Sequence, residues 1–454
     1  MNLSKYNNIY FVGIGGIGMS ALARYFNSKS YNVAGYDRTE SSLTKELVKE
    51  GISITCIDEL GVIPSEHNDS ANTLVIYTPA IPVTNNQLQF FNNNDYNVVK
   101  RSKVLGMIAE NYKLVGVAGT HGKTTVSSMV AHLFKNSHLD CCAFLGGIAK
   151  NFNSNLVIED STDWTVMEAD EFDRSFLQLY PDIAVVTSMD ADHLDIYGDS
   201  SELKRTFNEY VSHLKEGGKL VYKYGLDIEK DRIDSYSYSV DNVASDFYIK
   251  NMRIEEGAFH YSLHTPYRVI DNLIMNYPGR VNLENSVAAS AVSVLSGLSD
   301  EEIRSSIMSF QGVVRRFDVR YKSQNKIYID DYAHHPDELK AVISSVRELY
   351  PSKKILGIFQ PHLYTRTRDF AKGFMESLSL LDELILLDIY PAREEPIVGV
   401  SSDMLVKGIN IPTIRCRKED LMMELERCEF DILLTLGAGD IDRLVGKITN
   451  FMDN

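Results

Sequence analysis

The run GVAGTHGKTT, from Gly116 to Thr125, lies at the end of the apolar segment Lys113 to Ala118. In such a loop the backbone N–H groups cradle phosphates, a lysine neutralises the β and γ oxygens, and a threonine hydroxyl reaches magnesium. The strict G-x-x-x-x-G-K-T spacing is broken, because Val117 stands at its first glycine, with Gly116 one residue early and Gly119 inside the loop. The chemistry expected is binding of ATP with Mg2+. Gly119, Thr120, His121, Gly122, Lys123, Thr124 and Thr125 are the contacts, and Lys123 is expected on an exposed loop rather than in a core.

A second glycine cluster, GIGGIG, follows the apolar run Ile9 to Val12 and opens a helical pattern from Met19 to Phe26. Gly13, Gly15, Gly16 and Gly18 would let backbone amides approach a pyrophosphate at a helix N-terminus, while Asp37, closing the next strand, would take a ribose hydroxyl. Any nucleotide diphosphate suits this physics, so the motif does not name its ligand.

Two acidic clusters come next. EADEFD holds Glu168, Asp170, Glu171 and Asp173, and MDADHLD holds Asp190, Asp192, His193 and Asp195. Each by itself would read as a solvated loop; at strand ends beside Lys123 and Thr124 they become candidate magnesium ligands. Further on stand RRFD (Arg315 to Asp318), DDYAHHPDEL (Asp330 to Leu339) and FQPHLYTRTRDF (Phe359 to Phe370). The last two follow strands and so lie at a sheet's C-terminal edge, where open α/β folds bind ligands. His334 and His335 could equally cap or pack a helix. Arg366 and Arg368, two residues apart, cannot share a helix face, so at most one is expected to meet substrate.

Elements must position these groups. The chain has 454 residues, a length that suggests about three domains, each able to bury a core. Charged residues make up 24 % and hydrophobic ones 44 %, which excludes a disordered tail or a polytopic membrane protein. A formal charge of -16 disfavours non-specific nucleic acid or anionic membrane binding, so none is expected. The five cysteines show no CxxC spacing, which fits a reducing cytoplasm rather than a disulfide framework. No apolar stretch approaches the roughly 18 residues that span a bilayer, and a soluble, unexported protein is expected. Oligomeric state is left open.

Three blocks each show buried-strand runs, a glycine-rich turn or charged cluster, and helical patterns, which reads as α/β with parallel sheets. The first carries strands Ile9–Val12, Asn32–Tyr36 and Thr73–Tyr77 and ends near a helix Val104–Glu110. The second carries strands Lys113–Ala118 and Asp182–Thr187, a β-rich polar segment near 225–275, and a helix Asn285–Leu295. After a reset at Gly312–Arg316, the third carries strands Lys326–Ile329, Lys354–Phe359, Glu383–Leu387 and Asp431–Leu436. Domain limits of 1–110, 111–314 and 315–454 are expected.

GIGGIG, GTHGKTT, EADE, DADH, NLENS, RRFD, DDYAHHP and QPHLYTRTRD occur in the order found in the Mur ligases, and together they resemble that family over nearly the whole chain. The set is most similar to its alanine-adding branch. The resemblance implies an N-terminal Rossmann-like UDP-sugar domain, a central P-loop ATPase domain and a C-terminal Rossmann-like domain that brings the amino acid. It also implies the reaction: ATP-dependent ligation of L-alanine to UDP-N-acetylmuramate through an acyl phosphate. Lys123 would act on the phosphates, Thr124 and Glu168 would hold one magnesium, and His193 a second. Asn282, Asn285, Arg316 and Asp331 would serve ATP, and His362 and Arg366 the acyl phosphate or alanine. Val281 stands where the family usually has histidine, and Leu363 where many alanine ligases have arginine. Phe207 occupies the place of a carboxylated lysine found in other members, which fits the alanine-adding branch. A recycling ligase that attaches a preformed peptide is the alternative. A nicotinamide-dependent oxidoreductase, suggested by the first fingerprint and Asp37, would leave GTHGKTT and EADE unexplained, and a non-catalytic nucleotide-binding regulator is given as little weight.

Overall fold

The computed structural model describes residues 3–190, 197, 199–255, 257–392 and 394–453. Three sheets follow one another along the chain. The first contains β1 (Asn8–Val12), β2 (Asn32–Tyr36), β3 (Ser53–Thr55), β4 (Thr73–Tyr77) and β5 (Asn97–Lys100) in the order β3-β2-β1-β4-β5. All its pairs are parallel. Every residue of β1 is buried, as a strand covered on both faces requires. The strand order reverses between β1 and β4, which puts GIGGIG, immediately after β1, at a topological switch point.

The second sheet has ten strands in the order β15-β14-β13-β12-β11-β10-β6-β9-β7-β8. Its chemistry-bearing strands are β6 (Lys113–Ala118), β9 (Trp164–Glu168) and β10 (Ile183–Val186), with β6 running parallel between the other two. The strands β7 (Cys142–Ala149) and β8 (Ser154–Val157) form an antiparallel pair at one edge. Beyond β11 (Lys219–Lys223), the expected β-rich segment is β12 (Asp234–Ser239), β13 (Phe247–Glu255), β14 (Ala258–His264) and β15 (Val269–Met275). The third sheet has β16 (Asp318–Lys322), β17 (Ile327–Asp331), β18 (Ile355–Phe359), β19 (Glu383–Leu386), β20 (Thr413–Arg415) and β21 (Ile432–Leu436) in the order β16-β17-β21-β18-β19-β20. Only its edge strand β16 is antiparallel to its neighbour β17.

Packing divides the chain into two compact units, Met1–Arg253 with His260–Ile274 and Asn285–Gln311, and Ile254–Phe259 with Met275–Glu284 and Gly312–Asn454. The first two sheets therefore share a unit. Their apolar core is continuous, running from Phe11 and Phe26 to Phe144, Met167 and Phe207. Helix Ile17–Ser28 supplies much of the joint, with the Tyr25 ring 5.4 Å from that of Phe144. Asn155, fully buried, donates to the Ile17 carbonyl at 2.6 Å and to Ser20 Oγ at 2.9 Å, so its burial is satisfied.

Among the described residues no helix is long and apolar enough to cross a membrane. The helix expected at Asn285–Leu295 begins earlier, at Arg280, just after Gly279 turns the chain at φ +99°. Strands β3, β5, β7, β8, β11, β16 and β20 escaped the sequence reading because they are short, polar or charged in part, or glycine-containing.

Candidate active site

Gly122 caps helix Lys123–Lys135 at φ +83°, and Gly119 sits at φ +137°; both conformations favour glycine. The loop they shape is fastened to the segment after β10. His121 N–H donates to Ser188 Oγ at 2.7 Å, Thr120 Oγ1 lies 2.9 Å from the same hydroxyl, and Thr187 Oγ1 donates to the Ala118 carbonyl at 3.2 Å. Thr187 and Ser188 were not singled out in the sequence; two hydroxyl residues at a strand end beside a phosphate loop were the available signal. Gly116, the displaced glycine, serves packing. A Cβ there would fall 2.2 Å from the Tyr210 hydroxyl.

Lys123 is not on an exposed loop. Its side chain is 13 % accessible, its ammonium lies 2.8 Å and 2.9 Å from the two oxygens of the Glu171 carboxylate, and it donates to the Gly119 carbonyl at 2.6 Å. A buried ammonium needs a counter-charge, and EADEFD supplies one. Burial pulls the Lys123 pKa down, but Glu171, Asp170 and Glu168 more than reverse this, and the ammonium is held above its ordinary range.

Glu168 ends β9, parallel to β6, and accepts from the Gly146 N–H at 3.1 Å. A Cβ at Gly146 would lie 2.2 Å from a Glu168 oxygen, so only glycine leaves room for that carboxylate. The turn after Glu168 is strained: Asp173 and Arg174 both have left-handed φ, 53° and 54°, at a cost of about 1–3 kcal/mol each. It is anchored by Lys100–Asp173 at 2.9 Å, Arg101–Asp170 at 3.2 Å and Arg174–Glu202 at 2.6 Å. His193, with Asp192 and Asp195, lies outside the described residues.

Among the described residues no group of three or more His, Cys, Asp or Glu side chains could hold a metal ion unaided. Magnesium does not require one, since it takes one or two carboxylates and completes its shell with waters and substrate phosphates. The buried Thr124 hydroxyl and the Glu168 carboxylate are hard oxygen donors of the kind it selects.

At the first switch point Gly13 takes φ +93°, and Gly16 caps helix Ile17–Ser28 without any side-chain bond to its first-turn amides. Asp37 accepts from Gly15 N–H at 2.8 Å and from Thr39 N–H at 3.1 Å, so its carboxylate also shapes the turn. One cleft of about 230 Å3 is lined on one side by Gly16, Ile17 and Gly18 and on the other by Gly146, Glu168 and Asp170. The diphosphate fingerprint and the carboxylate beside the P-loop thus face one space. Also in this unit, Asn285 Oδ1 would lie 2.9 Å from a Cβ on Gly122. Phe207 lies in the core, its ring 5.3 Å from that of Phe176.

The second unit carries the remaining candidates. Asp331 accepts from Phe317 N–H at 2.6 Å and Ala333 N–H at 2.7 Å, fixing the loops on either side of it. Burial raises its carboxyl to about 6, against the opposing pull of Arg316 and those two amides. Arg315 and Arg316 both lie over the Tyr332 ring, at 5.1 and 5.0 Å. His334 and His362 rings are 6.0 Å apart, and His362 stacks on Tyr390 at 5.8 Å. His335 caps helix Pro336–Leu349 and packs edge-on against Phe370, the helix-capping role open to it from sequence. Arg366 is partly exposed, while Arg368 pairs with Asp369 at the surface. Asn282 donates to the Pro278 carbonyl at 2.6 Å; Val281 is 40 % exposed, and Leu363 is buried.

A central parallel sheet with a phosphate loop, flanked in sequence by two further parallel-sheet domains, defines a multidomain P-loop nucleotide-using enzyme. The family models agree along the chain: "Mur ligase family, catalytic domain" matches residues 8–113, "Mur ligase middle domain" 117–293, and "Mur ligase, glutamate ligase domain" 315–439. The chain belongs to the Mur ligase family and has its three-domain architecture. It is 48 % identical to the UDP-N-acetylmuramate–L-alanine ligase of Parabacteroides distasonis, covering 100 % of this chain and 98 % of that one. It is 46 % identical to that of Phocaeicola vulgatus, with 100 % of both covered. The crystal structure of the UDP-N-acetylmuramate-alanine ligase of Thermotoga maritima shares the fold, with a TM-score of 0.84 at 24 % identity over 98 % of this chain and 99 % of that one.

Proposed function

We infer that this protein is an ATP-dependent ligase that joins L-alanine to the lactyl carboxylate of UDP-N-acetylmuramate, an early step of peptidoglycan synthesis in the cytoplasm. The observation that carries the reading is the single cleft shared by the GIGGIG helix and Glu168. A UDP-sugar seated by its diphosphate at that helix presents its other end towards the carboxylate beside the P-loop. The full-length relatives favour alanine over a preformed peptide.

In this reading a lactyl oxygen attacks the γ-phosphorus, the bond to ADP breaks, and an acyl phosphate results. The amine of alanine then attacks the acyl carbonyl, inorganic phosphate leaves, and the amine gives up a proton. Phosphoryl transfer mainly requires positioning and charge cancellation. Lys123 neutralises the β and γ oxygens once they replace Glu171, and the amides of Gly119–Thr125 fix the phosphates. Bound magnesium would screen the two anions that must meet; Thr124 and Glu168 are assigned to hold it, and His193 to a second ion. Asn282, Asn285, Arg316 and Asp331 are assigned to ATP, and His362 and Arg366 to the amino-acid side. The functional domains are taken as 1–110, 111–314 and 315–454.

Phosphate release, measured with UDP-N-acetylmuramate and each candidate amino acid or peptide, tests the reading. Release with L-alanine is expected. Turnover only with a preformed peptide would assign the recycling reaction instead.

A further inference from the structure

Asn155 is 0 % exposed although it lies on the edge strand β8, because it is pressed against helix Ile17–Ser28. Both ends of its amide are used. Nδ2 donates to the Ile17 carbonyl at 2.6 Å and to Ser20 Oγ at 2.9 Å, and Oδ1 accepts from Arg24 Nη1 at 2.6 Å. Ile17, Ser20 and Arg24 fall at i, i+3 and i+7, on one face of the helix. Arg24 is held in turn by Glu50, its Nε lying 3.0 and 2.9 Å from the two carboxylate oxygens. Apolar burial is non-directional, so the core beneath this helix does not by itself fix its rotation or its rise. Hydrogen bonds of defined angle do.

The same hairpin holds Glu168. Phe144 of β7 pairs with Leu156 of β8 and Ala149 with Ser154, so the stretch Leu145 to Ile148 stands opposite Asn155 alone. A bulge re-aims the groups it displaces, and here the Gly146 N–H meets the Glu168 carboxylate at 3.1 Å. One short piece of sheet edge thus grips the fingerprint helix on one side and the carboxylate beside the P-loop on the other.

We propose that Asn155 is a positioning residue for acyl-phosphate formation: it fixes the first turn of the GIGGIG helix against the hairpin that orients Glu168, and so sets the gap that the lactyl oxygen must close to reach the γ-phosphorus. Reacting atoms must come within about 3–3.5 Å, and a misplacement of about 1 Å caused far from the chemistry can cost about a hundredfold in rate. Being fully buried, Asn155 acts through the helix and touches no substrate. This rests on the UDP-sugar and ATP reading above.

The test is single-turnover phosphate release by the full-length protein with ATP, magnesium, UDP-N-acetylmuramate and L-alanine. Steady-state KM values for the three substrates accompany it, and all are measured below the thermal midpoint of every variant. N155L removes the bonds to Ile17, Ser20 and Arg24 at similar volume. N155D keeps an acceptor for Arg24 but sets a carboxylate oxygen against the Ile17 carbonyl, and N155S keeps a short hydroxyl donor. The single-turnover rate should fall by roughly ten- to hundredfold in N155L and N155D and by less in N155S, while each KM changes by less than about threefold. If N155L does not fold, N155D and N155S carry the same comparison. A lowered midpoint with an unchanged single-turnover rate would make Asn155 a stabilising residue only and overturn the proposal. A loss confined to the KM of UDP-N-acetylmuramate or of ATP would overturn it too. Absence of turnover in the unaltered protein with these substrates would instead overturn the reading on which the proposal rests.

Discussion

Lys123 and Glu171 form a bidentate ion pair, with the ammonium 2.8 and 2.9 Å from the two carboxylate oxygens, in the place where ATP phosphates are expected. The lysine assigned to the phosphates is thus neutralised from within the protein. Under the proposed function, triphosphate would exchange for Glu171 rather than simply add.

The pair makes an asymmetric prediction. E171Q removes the counter-charge bonded to a buried ammonium and leaves it Asp170 and Glu168, which should cost at most about 3–5 kcal/mol in the free protein. ATP would restore that charge, so the rise in thermal midpoint on adding ATP should be larger in E171Q than in the unaltered protein. Equal rises would show that Glu171 and phosphate do not compete. K123A should lose turnover by about a hundredfold or more, and it should also lose stability, because the buried Glu171 carboxylate then loses its ammonium.

Glu168 and Gly146 should fail together. E168Q removes a candidate magnesium ligand and should raise the magnesium and ATP requirements in parallel. G146A should do the same without touching a donor atom, since its methyl group would displace the carboxylate. Magnesium titrations of ATP binding compare the two; a normal requirement in both would remove Glu168 from the metal site. H193A, by contrast, should mainly lower turnover.

Tyr210 explains the displaced glycine of the phosphate loop. Its hydroxyl is fully buried with no hydrogen-bond partner among the described residues and lies against Gly116. Y210F should be neutral or stabilising by about 1 kcal/mol, because an unsatisfied polar atom is removed. G116A should destabilise by about 1–3 kcal/mol through overpacking, and Y210F should relieve part of that loss. Chemical denaturation of the two single variants and the double variant measures the coupling.

Asp331 sets a pH dependence. Its folded pKa of about 6 lies above the unfolded value, near 3.9. The native state therefore holds the extra proton between those values. The stability contributed is present below about pH 4 and lost as pH rises through about 6, an effect on the order of 3 kcal/mol. Against D331A, the relative stability of the unaltered protein should grow as pH is lowered from 7 to 5. A constant difference would place the Asp331 pKa in the ordinary range.

Much of the architecture was legible because buried parallel strands write themselves as apolar runs. Asn32–Tyr36, Thr73–Tyr77 and Lys113–Ala118 have the same limits in sequence and structure. The glycine-rich loop before helix Lys123–Lys135 and the strand-end position of Glu168 were legible too, since their sequence pattern is local. What local pattern could not show was partnership across the fold. Glu171 reads as one acid among several until the structure puts it on Lys123. Arg101 carries no motif at all; only the fold brings it onto Gly18. Asp331 reads as a ligand, and its two amide contacts appear only once the loops around it are folded.

The unbroken core from Phe11 and Phe26 to Met167 and Phe207 has a mechanical meaning. A cut near residue 110 would strip apolar faces such as Tyr25 from Phe144, so a fragment ending there should aggregate rather than report UDP-sugar affinity. Because packed interiors resist compression, the separation between the GIGGIG helix and the P-loop behaves as a built-in ruler. Under the proposed function, a sugar nucleotide of the wrong length should then be rejected by dimension alone, before any amino acid is chosen.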